Sequence, residues 1–134
     1  MKTRRLLASA VLIVIPALGH HSAAAEFDTS KTVRISGTIS KLEFANPHVM
    51  IYVDVKNPDG TVTNWKVEIA PPNTLLRQGI TKALLEESTT ITLDTFPAKD
   101  GSSGAWGRTM IRADGREPAT VNLGRPGNFT SPVK

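Results

Sequence analysis

His20, His21 and His48 are the only histidines of this 134-residue chain, and the first two are adjacent. The chain has no cysteine, so neutral imidazole is its best ligand for Cu(II) or Zn(II). The adjacent pair lies in "PALGHHSAAAEFD", where an apolar leader stops and a polar chain begins. If the leader is cut between Gly19 and His20, the mature chain starts His-His-Ser. A free α-amine and the Nδ1 of an N-terminal histidine then close a chelate ring, a donor set that favours copper over zinc. A cut between Ala25 and Glu26 also satisfies the small-residue rule, and it removes both histidines. In that case His48 is an ordinary strand-start histidine packed beside Pro47.

Other chemistries find little to work with. There is no G-x-S-x-G elbow and no thiol nucleophile, so no Ser-His-Asp or Cys-His constellation can be drawn. The glycine-rich "GSSGAWG" lacks the lysine and the following helix of a phosphate-binding loop. The expectation is therefore a protein that is not an enzyme.

The start of the chain explains its apparent basicity. "MKTRR" is basic and "LLASAVLIVIPALG" is apolar, with no acidic residue before Glu26. That is the pattern of a secretory signal, and the apolar run is shorter than the roughly 20 residues a spanning helix needs. Removing Lys2, Arg4 and Arg5 leaves 13 basic against 12 acidic side chains, so the sequence pI of 9.7 overstates the charge of the mature protein. Without a concentrated basic face, nucleic acid is a poor partner. An exported chain without cysteines suggests a bacterial periplasm, with no membrane anchor once the signal is cleaved.

The elements that must position the histidines are strands. "KTVRISGTISKLEFANP" reads as one long strand, with Gly37 interrupting its apolar row where a barrel strand needs a bulge or bend. "HVMIYVDVKNPDGTVTNWKVEIA" reads as a hairpin closed by "NPDG", with Gly60 at the position that needs positive φ. Closing the turn on Asn57 and Thr61 pairs Val55 with Thr63, Val53 with Trp65, Ile51 with Val67 and Val49 with Ile69. All the large apolar residues then share one face, which a one-residue slip would destroy. The other face carries Met50 opposite Glu68, Tyr52 opposite Lys66, and His48 diagonal to Glu68, near enough for a carboxylate to orient the imidazole or join it as a ligand. Met50 lies on the side of His48 and would favour a softer ion such as Cu(I).

Further along, "PPNTLLRQGI" predicts a short helical turn with Leu75 and Leu76 on its buried side and Gly79 at its end. A loop and a fourth strand through Ile91 and Leu93 follow. "GAWGRTMIRADGREP" gives a fifth strand ending in the turn "ADGR", and Trp106 sits in the glycine-rich approach to it, where it either tops a binding loop or plugs a barrel end. Five strands with a helix between the third and fourth predict an all-β fold, a five-stranded OB-like barrel. The expected organisation is a signal peptide over 1–19, the barrel over 20–118 and a flexible tail over 119–134.

"HHSAAAEFD", "ISGTISKLEFANPHVMIYVDVK", "NWKVEIAPPNTLLRQGI" and "FPAKDGSSGAWGR" together resemble the small exported bacterial proteins of domain-of-unknown-function family 6152. The resemblance spans about residues 20 to 116. It implies a periplasmic OB-like module with His20 and His21 at the mature N-terminus, and it implies no activity.

The leading expectation is a periplasmic, non-catalytic binding module. It would hold a copper or zinc ion through His20, His21, His48 and Glu68, and offer Met50, Tyr52, Lys66 and Trp106 to a small ligand or an envelope protein. The alternative is an envelope accessory protein with no metal. A copper redox centre built on an N-terminal histidine brace comes third.

Overall fold

In the computed structural model, residues 23–87, 90–111 and 120–126 are described. The expected signal peptide, His20, His21, the expected "ADGR" turn and the last eight residues lie outside them. The element order is α1 (Ala23–Glu26), β1 (Val33–Glu43), β2 (Met50–Lys56), β3 (Val62–Glu68), α2 (Pro72–Arg77), α3 (Lys82–Glu87), β4 (Thr90–Pro97), β5 (Gly104–Ile111) and β6 (Thr120–Asn122).

The sheet runs β3-β2-β1-β4-β5-β6, and a parallel pairing of β3 with β5 closes the first five strands into a barrel. This is the all-β, OB-like architecture expected from the strand order. Closure leaves fewer unpaired strand edges than an open sheet of the same size would.

Strand β1 makes closure possible because it serves two partners. Its N-terminal half pairs with β4, from Val33 opposite Thr95 to Thr38 opposite Thr90, and its C-terminal half pairs with β2, from Thr38 opposite Asp54 to Glu43 opposite Met50. The changeover lies at Gly37 and Thr38, and a bulge follows between Ile39 and Lys41. A Cβ at Gly37 would sit 2.2 Å from the Asp54 carbonyl oxygen. Only glycine lets the two backbones approach this closely.

The β2–β3 hairpin has the register derived from its apolar pattern, from Met50 opposite Glu68 to Val55 opposite Thr63. The bonding extends past the strand ends: Ile69 N donates to Val49 O at 2.9 Å, and Asn57 N donates to Thr61 O at 2.8 Å. Gly60 has φ of +86°, as the turn requires. Val49, Ile51, Val53, Val67 and Ile69 are fully buried, and half-buried Trp65 packs against them. Each such side chain contributes roughly 1.5–3 kcal/mol relative to exposure.

Three local expectations are corrected. Residues 82–87 form helix α3 rather than a loop: Thr81 Oγ1 accepts the Leu84 N–H at 3.2 Å as a cap, and Leu84 and Leu85 are buried in the main core. In α2 Leu75 is buried together with Thr74, and Leu76 is 49% exposed, because adjacent helical positions point about 100° apart. The expected flexible tail over 119–134 begins instead with a strand: β6 pairs with β5, Met110 opposite Val121, and Val121 and Leu123 are buried. Three residues carry too little periodicity to be read as a strand, and burial against Met110 and the barrel decides their state.

Candidate functional site

The site grows from the β2–β3 register. Val49 points into the core, so its neighbours His48 and Met50 point out, and Glu68 stands opposite Met50. The diagonal brings the two ionisable groups together: His48 Nδ1 and Glu68 Oε1 are in direct hydrogen-bond contact. Their side chains are 21% and 19% exposed. An ionised carboxylate only accepts, so Nδ1 carries the proton and donates it to Glu68. A carboxylate at Nδ1 is the arrangement in which an outer partner orients a ligating histidine.

Barrel closure supplies the wall of the site. In the parallel β3–β5 pairing, Glu68 stands opposite Trp106, and across β4–β5 Trp106 stands opposite Phe96. Ala105 is in the main core, and a Cβ on Gly107 would meet Ile69 and Val67 there. Trp106, between them, therefore projects from the other side of β5. It joins Phe27 and Phe96 in a second aromatic cluster. His48 meets the indole edge-on, with centroids 5.2 Å apart and planes at 85°, and Phe27 lies 6.1 Å from it. The indole Nε1–H donates to Gly124 O at 3.3 Å.

Of the two readings of Trp106, burial contradicts the exposed contact at a loop tip. Trp106 is a fully buried residue of β5, covered by Phe27. It backs His48 instead of meeting a ligand from a loop tip.

Phe27 belongs to a docked N-terminal segment. Phe27 forms a bridge with Ala98, Asp28 N donates to Pro97 O at 2.9 Å, and Lys99 N donates to Glu26 O at 3.0 Å. Lys99 Nζ donates to Ala24 O at 3.3 Å. Residues 24–28 thus lie along the end of β4, with Phe27 pressed onto the indole that touches His48. Phe27 and Phe96 had not been singled out from sequence. The one signal was a lone aromatic, Phe27, in an otherwise small and polar stretch.

The remaining candidates lie on the outward face of β1–β3. Half-buried Met50 sits in a row between Glu43 and Glu68. The Tyr52 hydroxyl donates to Glu43 Oε1 at 3.5 Å, and Lys41 Nζ lies 4.9 Å from the Tyr52 ring centroid while pairing with Glu43 at 2.5 Å. The Lys41 ammonium holds the Glu43 carboxyl below its ordinary range. Lys66, opposite Tyr52, is exposed. Tyr52 is thus engaged within its own face, and Lys66 is the more accessible of the pair.

Among the described residues no three His, Cys, Asp or Glu side chains are placed to hold a metal ion. His48 and Glu68 make two, and the other proposed donors, His20 and His21, lie outside the described residues. Nor is any helix among the described residues long and apolar enough to cross a membrane. The model of a protein family described as "Family of unknown function (DUF6152)" matches residues 8–107 of the chain. No curated protein and no solved structure matches it.

Proposed function

The chain belongs to the DUF6152 family of unknown function, and from that footing we propose that it is a periplasmic, non-catalytic binding module for a copper ion. In this reading the leader is cut before His20. The new α-amine and His20, with His21, then form one half of the coordination sphere, and His48 Nε2 forms the other. Glu68 orients His48 from behind rather than acting as a direct ligand.

The single observation that carries the reading is the docking of residues 24–28 against the indole that His48 also contacts. Only His21 and Ser22 lie between His20 and Ala23, and an extended chain gains at most about 3.6 Å per residue. The new terminus therefore starts from a segment anchored beside the β4–β5 wall. The donor set of two or three imidazoles and an amine suits Cu(II) better than hard cations, which prefer oxygen.

The test is intact mass of the exported protein followed by titration of that material with Cu(II) and Zn(II). The expected result is a chain starting at His20 that binds one copper more tightly than about micromolar, while a chain starting at Glu26 does not. A natural start at Glu26, or no binding in that range by the His20 form, overturns the reading.

A further inference from the structure

A pair of arginines lies at Phe96, another ring of the same aromatic cluster. Phe96 is 2% exposed, yet two exposed arginines from different parts of the chain converge on it: the guanidinium carbons of Arg108 and Arg125 lie 5.9 and 6.0 Å from its ring centroid. Their backbones are tied together. Leu123 N donates to Arg108 O at 2.8 Å, Gly124 N donates to Asn122 Oδ1 at 2.8 Å, and Gly124 O accepts the Trp106 indole proton at 3.3 Å. Two arginines stationed on linked backbone and resting on one ring lose less side-chain freedom on binding than two free surface arginines.

Neither arginine has a carboxylate partner among the described residues. Asp94, which feels the charge of Arg108, is already taken: Arg34 Nε and Nη2 hold its two oxygens at 2.7 and 3.0 Å. The Arg34 bond is the main reason the Asp94 carboxyl sits below its ordinary range, and Arg108 adds only a weaker Coulomb pull. Asp94 therefore does little to neutralise Arg108. Both guanidiniums bring positive charge to the same ring, and an oxyanion bound there would offset that charge while accepting charge-assisted hydrogen bonds.

We propose that Arg108 and Arg125, seated on Phe96, form a binding site for a phosphate oxyanion, independent of the copper site. The paired guanidiniums recognise phosphate by their planar donor forks, and the phosphate is either free in solution or part of a lipid headgroup.

The probes are inorganic phosphate and vesicles of phosphatidylglycerol, with chloride at matched ionic strength and phosphatidylcholine vesicles as controls. NMR of the arginine Nε–H signals should show saturable, phosphate-specific shifts at Arg108 and Arg125. R108Q and R125Q should each weaken the interaction by about tenfold or more, the loss expected of a charge-assisted hydrogen bond. R108K and R125K keep the charge and lose the fork, and they should also bind more weakly while circular dichroism shows an unchanged fold. Phosphate binding without vesicle binding assigns a soluble ligand, and vesicle binding lost in R108Q assigns a headgroup. Shifts no larger than those from chloride, or binding unaltered by either glutamine substitution, overturn the proposal.

Discussion

His48 and Glu68 are individually ordinary residues, and their value lies in the bond between them. Glu68→Gln keeps the size of the side chain but replaces the acceptor-only carboxylate with an amide that no longer dictates which imidazole nitrogen carries the proton. Copper affinity of the His20 form should fall about 10- to 100-fold, the usual effect of losing an outer-sphere partner, with the melting curve little changed; calorimetric titration checks it. Asp28 offers a pH prediction at the same scale. The Ser30 hydroxyl, then Lys31 and the Ser30 N–H, lower its pKa to about 2. Its folded pKa is depressed, so its stabilising contribution is present above the ordinary carboxylate value and is lost as the pH falls through about 2. Carboxyl carbon shifts should titrate near 2 at Asp28, and a midpoint near 4 would show that the turn beside Phe27 is not formed in solution.

At the scale of elements, β1 is the strand on which the others depend. Gly37→Ala would push a methyl into the Asp54 carbonyl, and backbone cannot swing away as a flexible side chain can. The expected cost is about 1–3 kcal/mol, as for other overpacked sites, read as a lowered urea midpoint. An unchanged midpoint would mean that β1 and β2 are further apart than described. Helix α3 shows how an element can be present in the residues and still be overlooked. "TKALLEE" has a capping threonine, good helix formers and a Lys82–Glu86 pair at i, i+4. Six residues are too few for a helix to stand alone, so its state depends on burying Leu84 and Leu85.

For the whole molecule, the consequential segment is 120–126. Truncation before Thr120 would remove β6, uncover Met110 and Trp106 Nε1, and withdraw Val121 and Leu123 from the core. Losing two buried aliphatic side chains costs about 3–6 kcal/mol, a large part of the 5–15 kcal/mol that holds an ordinary domain together. Leu123→Ala alone should cost about 2–5 kcal/mol. Chemical denaturation of both variants checks this, and a truncated chain as stable as the full one would return the segment to a dispensable tail.

The hairpin register was determined by sequence, because period-two alternation on both strands and a turn requiring positive φ at Gly60 admit one pairing. From that register alone followed the meeting of His48 with Glu68, and the strand order pointed to the barrel. What only the tertiary structure decided was everything created by closure. Glu68 comes beside Trp106 through a parallel contact between strands more than 30 residues apart, and Phe27 and Phe96 seal that indole from two other regions of the chain. Arg108 and Arg125 meet over one ring for the same reason. Local patterns report which face of an element is apolar, whereas the partner that covers it is chosen by long-range packing, which leaves no periodic trace in either segment.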